Sequence, residues 1–359
     1  MRLIQKGQVI AFFAFDIGYE IDLAQLSRLT AAVPAQPISR KKQTPPYLQY
    51  TKPPHILHLG AASALQATAG TIQATAFDFG AVSLAYCWSI KPGLPLDALP
   101  QLSRALYERS LERHALETIE QLLQQISPAV TRPGLAGLVE DYYLFLIEEL
   151  NQECSAEAFL NQHRAMLAQT LRFETTPLSQ AQQTDALSQS IAYYQNDLVL
   201  LDWNAAIIYD RDYEDTASVL ELLNIELLEA RYIDERLDTR ITDYSKLIRQ
   251  RSEWPFPFRT PYKQTIQELT ELRIESSLLA ERVENSLKLI GDLYLARLHT
   301  AAAQRFYLHE WERIIAHKLE IISEFYQLLT DRVRTAQSQT LELIVILLIL
   351  VELVLAFFR

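Results

Sequence analysis

The chain has 359 residues, enough for two or three domains of about 150 residues each. With 49% apolar and 21% charged residues it can bury a core and is not a disordered chain. Two cysteines, Cys87 and Cys154, exclude a disulfide framework or a multi-cysteine metal centre, and a net charge of −11 excludes a general nucleic-acid coat.

In chain order, Gln8–Phe15 (QVIAFFAF) reads as a strand, and Ile21–Ala32 has helical spacing. No acidic residue occurs between Asp22 and Asp78, whereas Arg28, Arg40, Lys41, Lys42 and Lys52 do, interleaved with Tyr47, Tyr50, Pro45, Pro46, Pro53 and Pro54. Arg40, Lys41, Lys42 and Lys52 therefore form a candidate anion-binding loop for RNA, a ribosome or anionic lipid head groups. A solvated surface loop is the plain alternative. His55 and His58 have no nearby carboxylate or cysteine to complete a metal set, and read as loop histidines.

Thr71–Ser89 reads as a hairpin turning at Asp78-Phe79-Gly80. Asp97–Gln125 reads as one helix, with Asp97 as N-cap, Pro100 in the first turn and Pro128 beyond its end. Tyr142–Ile147 is a further strand, Ala156–Leu171 a helix, and Asp197–Asp202 with Ala205–Tyr209 a second strand pair. Asp202, Asp210 and Asp212 flank that pair as turn residues, and Glu148 and Glu149 on a strand would face opposite ways. No phosphate-binding loop, dinucleotide fingerprint or nucleophile elbow occurs. No catalytic residue, metal, cofactor or small-molecule substrate is identified, and an enzyme would need an active site assembled by the fold within residues 1–212.

After Asp215 the pattern changes. All fifteen prolines lie at or before Pro261, so the last 98 residues hold none. Leu223, Leu227, Ala230, Asp234, Leu237, Ile241, Tyr244 and Ile248 alternate spacings of four and three, as do Ile315, Leu319, Ile322, Tyr326, Leu329 and Val333. Such a seam fits a coiled coil between chains or a helical bundle within one. Gly291 stands inside a helical stretch, where glycine costs about 1 kcal/mol, and would allow close helix packing.

Leu341–Phe358 (LELIVILLILVELVLAFF) contains 15 Leu, Ile, Val or Phe residues among 18. At about 1.5 Å per residue a helix here is roughly 27 Å long, close to the ~30 Å apolar thickness of a bilayer. Leu343, Ile346, Leu347, Leu350, Leu353 and Phe357 would form the anchor, with Glu352 at a depth where an acid must face protein. Clustered tails in a homo-oligomer would shelter it, as would a soluble core. Arg332 and Arg334 before the segment keep the bulk of the chain cytoplasmic. The start, MRLIQKGQVIAFFAF, is read as a strand rather than a cleavable leader.

Leu220–Asp238 (LELLNIELLEARYIDERLD), Ala280–His299 (AERVENSLKLIGDLYLARLH), the apolar tail with Glu342 and Glu352, and Thr75–Ile90 (TAFDFGAVSLAYCWSI) resemble the family of yeast meiotic nuclear division proteins and their animal mitochondrial counterpart. His163, Ala168-Gln169 and Phe173-Glu174 resemble it more loosely. This resemblance implies a bacterial member with a C-terminal transmembrane segment, a helical hairpin and no established catalytic residues. Its mitochondrial members act in organelle translation at the inner membrane.

The expected architecture is an α+β domain over residues 1–212, an antiparallel sheet with helices. A coiled-coil-like hairpin over 213–339 and a single-pass anchor over 340–359 follow. The expected function is a non-enzymatic, homo-oligomeric scaffold or tether at the bacterial inner membrane. An RNA- or ribosome-binding module that localises translation is the alternative, and an enzyme the third.

Overall fold

A computed structural model describes residues 2–31, 33–34, 53–65, 68–249, 266–270, 274 and 293–357. The chain divides into two compact units, Met1–Tyr232 with Arg282–His309 and Ile233–Glu281 with Glu310–Arg359.

The first unit is built on β1 (Leu3–Asp16), a 14-residue strand of which Phe12, Phe13, Ala14 and Phe15 are all buried. Four consecutive buried residues require cover on both faces of the sheet, since side chains alternate. β1 is central: it pairs antiparallel with β6 (Ala81–Ser89) on one side and β9 (Glu140–Leu150) on the other. Ala11 stands opposite Tyr86 and Tyr143, and Phe13 meets both rings edge-on at 5.7 and 6.3 Å. A small residue flanked by two aromatics lets the neighbouring phenylalanine pack across three strands, each ring pair adding about 0.5–1.5 kcal/mol.

Beyond β6 lie β5 (Thr68–Ala76), β4 (His55–Leu65) and β3 (Val33–Pro34), all antiparallel. β7 (Leu94–Pro95) pairs antiparallel with the start of β1, and β2 (Glu20–Ile21) with β8 (Val130–Thr131) forms a separate pair. Beyond β9 the order is β12 (Ala205–Tyr209), β11 (Leu198–Leu201) and β10 (Gln189–Ile191). The β9–β12 pair is parallel. The sheet is therefore mixed rather than purely antiparallel, because β9 reaches β12 through a crossover and not a hairpin. That crossover carries α4 (Ala156–Leu171) and α5 (Gln180–Ala186).

One face of the sheet is closed by α1 (Leu23–Leu29), α2 (Leu99–Tyr107), α3 (Leu111–Ile126) and α4, whose apolar sides share a core with Val9, Ala11, Phe13 and Phe15. The expected single helix over Asp97–Gln125 is two helices preceded by a short 3-10 turn, Leu96–Ala98. Ser110 adopts a left-handed conformation (φ 51°) and breaks it, and no glycine or proline marks the place. On the other face, α6 (Glu214–Arg249) starts in this unit and α7 (Leu293–Arg305) completes it. Asn224 donates to the Glu140 carbonyl at 3.1 Å, Arg231 pairs with the Glu140 carboxylate, and Phe306 packs on Tyr142 at 5.0 Å.

The second unit contains the later part of α6, a helical turn at 266–270, and α8 (Leu308–Phe357) from Glu310 onward. In α8, Ile315, Ile322 and Leu329 are buried at seven-residue spacing. Asp234, the polar position of the α6 seam, accepts from Lys318 Nζ at 2.6 Å, and Asp238 lies 2.7 Å from the same ammonium. These two carboxylates, whose hydrogen bonds and charge outweigh the cost of burial, raise the Lys318 pKa above its ordinary value.

Candidate functional site

Parallel pairing brings the C-terminal ends of β9 and β12 to one edge of the sheet, Ile147 standing beside Tyr209. The antiparallel β11 adds the Tyr193–Asp197 turn at that edge, because Leu198 also pairs with Tyr209. A cleft of about 300 Å³ opens there, lined by Glu148, Glu149, Leu150, Glu153, Tyr194, Asn196, Asp197, Tyr209, Asp210, Arg211 and Asp212. Six carboxylates and one guanidinium make it strongly negative. Lys6 lies 2.5 Å from Glu148, which raises the Lys6 pKa through its hydrogen bond. Arg211 lies 2.5 Å from Glu153 and 3.9 Å from Glu149. Tyr209 stacks on Phe159 at 4.8 Å and donates to the Cys154 carbonyl, while burial pushes its hydroxyl pKa up.

Asp197 differs from its neighbours in the cleft, being 3% exposed. Its Oδ1 accepts from the backbone N–H groups of Tyr193 and Tyr194 at 2.7 and 2.9 Å, whereas Oδ2 has no partner among the described residues. A buried carboxylate oxygen without a partner is costly, so it marks a place where a cation is favoured. No group of three His, Cys, Asp or Glu among the described residues is placed to hold a metal ion.

A second polar cluster is structural. Asp202, 1% exposed at the β11–β12 turn, is paired with Arg172 and Arg305, and Arg305 Nε reaches Oδ1 at 2.9 Å. Asp185 joins both arginines, at 2.5 Å from Arg172 and 3.0 Å from Arg305. Beside this cluster Trp203 and Tyr307 are exposed, their rings 5.7 Å apart. Asp202, expected as a turn residue, thus fastens the crossover and α7 to the sheet.

The early part of α6 carries buried acids. Burial raises the Glu229 pKa well above the ordinary carboxylate range, and the Asp16 carboxylate adds to the effect. Glu221 is pushed up to about 7 by burial, which the nearby Ser83 and Thr75 hydroxyls offset only in part. A carboxyl whose folded pKa is raised favours folding below its unfolded pKa and loses that advantage as pH rises through the folded value. Stability is expected to fall between about pH 4.5 and about 7, and Glu221→Gln to flatten that slope in denaturant titrations at several pH values. An unchanged slope in the variant would show that the acid titrates normally.

The expected anchor residues Leu343, Ile346, Leu347, Leu350, Glu352 and Leu353 lie on α8, all exposed. Phe357 is the last residue of that helix. Among the described residues α8 is the one helix long and apolar enough to cross a membrane, with a mean hydropathy of 2.4 and none of that window buried. Arg40, Lys41, Lys42, Lys52 and Gly291 lie outside the described residues. His55 and His58 are not loop histidines but part of β4. His55 is buried with Nδ1 2.9 Å from Ser27 Oγ, and burial lowers its pKa. Asp197, Glu153, Tyr194 and Arg211 escaped the sequence analysis because no local pattern marks them.

A family described as the N-terminal domain of uncharacterized protein MJ0711 matches residues 6–216, from β1 to the first turn of α6. Uncharacterized protein MJ0711 of Methanocaldococcus jannaschii is 26% identical over 242 residues, covering 67% of this chain and 73% of the archaeal protein. No solved structure matches. The resemblance to meiotic nuclear division proteins rests chiefly on segments after residue 216, outside the family match, and these comparisons do not link the chain to them. With well over half of its length matched, the chain belongs to the MJ0711 N-terminal domain family.

Proposed function

We propose that the chain is a non-enzymatic membrane tether or scaffold, in which α8 anchors an α+β binding domain to a lipid bilayer. The observation that carries it is the exposed run from Leu341 to Leu355. Thirteen large apolar side chains there surround the helix on every side and are left uncovered. A surface helix of a soluble protein keeps a polar face, and an apolar patch of this extent is costly in water. Each large apolar residue contributes about −0.3 to −0.6 kcal/mol to insertion, against about 2.5 to 3.5 for a central acid, so thirteen outweigh Glu352.

Glu352 in hydrocarbon calls for protein around it, which supports a homo-oligomer with clustered tails. The seven-residue spacing of Ile315, Ile322 and Leu329 supports a coiled-coil-like hairpin leading to the anchor. Arg332 and Arg334, just before the apolar tail, support a cytoplasmic orientation of the bulk at the inner membrane of a bacterium. Removal of residues 340–359 is expected to move the protein from the membrane pellet to the soluble fraction in a carbonate-washed fractionation. Retention of the truncated chain in the pellet would overturn the tether.

A further inference from the structure

We propose that the acidic cleft at the shared end of β9 and β12 is a binding site for a linear organic polyamine. Three observations converge on this class. The cleft, at about 300 Å³, has the size of a small-molecule site, and its carboxylates come from three separate segments, 148–153, 197 and 210–212. Acids spread along a cleft suit a ligand whose charges are spaced along a chain; a compact ion needs converging ligands, and no such set occurs among the described residues. The most buried acid of the cleft, Asp197, is 3% exposed and its Oδ2 has no partner among the described residues, its other oxygen being held by two backbone N–H groups. An ammonium group there would satisfy a buried carboxylate oxygen that the described residues leave unpaired.

The walls fit the same chemistry. Tyr194 is 56% exposed and Leu150 also lines the cleft, so methylene segments would lie against aromatic and aliphatic surface. An ammonium near a tyrosine face gains about 0.5–1 kcal/mol at an exposed site. Arg211, which bridges Glu149 and Glu153, occupies the position a second ammonium would take, so a bound polyamine displaces or shares its partners.

The test is calorimetric titration of the full-length, detergent-solubilised protein with spermidine, and separately with magnesium chloride. Detergent keeps this readout independent of whether α8 anchors the protein. Saturable spermidine binding is expected, weakening as salt is raised, with magnesium at equal concentration failing to compete. Asp197→Asn keeps the acceptor for the Tyr193 and Tyr194 N–H groups and should weaken spermidine about tenfold, as loss of one buried ion pair would. Should that variant fold poorly, the rim pair Glu149→Gln with Asp212→Asn decides, with a similar loss expected and an unchanged melting temperature. Absence of spermidine binding, binding unaltered in the folded variants, or equal displacement by magnesium would overturn the assignment.

Discussion

Gly80→Ala is expected to cost about 3–5 kcal/mol of stability, measured by urea denaturation, the largest effect of any single methyl group added to the sheet domain. Gly80 closes the β5–β6 hairpin at φ +100°, a conformation that side-chain-bearing residues rarely adopt. A Cβ there would lie 1.8 Å from the Gly18 carbonyl oxygen and 2.8 Å from its carbon, both backbone atoms. The turn cannot shift alone, because the Gly80 carbonyl accepts from Ile17 and the Asp78 carbonyl accepts from Ile21, each within 3.0 Å. Gly134→Ala is the control: a Cβ there meets nothing within 4 Å, and a change within about 0.5 kcal/mol is expected. Similar losses for the two variants would mean that the contact with Gly18 relaxes.

Arg305→Met should destabilise the same unit by about 3 kcal/mol, because it removes one of two cations from a carboxylate that water cannot reach. Asp202 is 1% exposed and Arg305 contacts it through both Nε and a terminal nitrogen. Arg104→Ala, which breaks an exposed pair with Glu108 at 2.7 Å, should cost less than about 0.5 kcal/mol in the same assay. The two arginines also hold the Asp185 carboxyl below its ordinary range, Arg305 foremost. A depressed carboxylate stabilises the fold above its unfolded pKa, and that contribution is lost as pH falls through the folded value. Arg305→Met should therefore be less sensitive to acid than the parent chain, as well as weaker at neutral pH. A loss below about 1 kcal/mol would indicate that Asp202 becomes hydrated once Arg305 is gone.

The elements legible in the sequence are those whose signal is local. β1, the β5–β6 hairpin, β9, α4 and the β11–β12 pair follow runs of apolar residues bounded by turn formers, and they occur where those runs occur. β4 was illegible because HILHLGAASAL mixes small and polar residues on a strand near the sheet edge, where one side is half exposed. The break between α2 and α3 was illegible because Ser110 takes its left-handed conformation without glycine. Asp202 reads as a turn residue until Arg305, 103 positions away, is brought to it. The cleft is the extreme case: its residues become neighbours only through the parallel β9–β12 pairing, which no local periodicity announces. The apolar end of α8 needs no partner to be recognised, since composition alone sets it apart.

The central place of β1 bears on how the polypeptide is made. Residues 3–16 leave the ribosome before either of their flanking strands, one of which, 140–150, is completed more than 130 residues later. At translation rates of about 5–20 residues per second that interval is roughly 7–27 s. For that time the nascent segment bears a long apolar ribbon with one side unmatched, so early growth of this protein favours a holdase or slow, late docking over stepwise folding from the amino terminus.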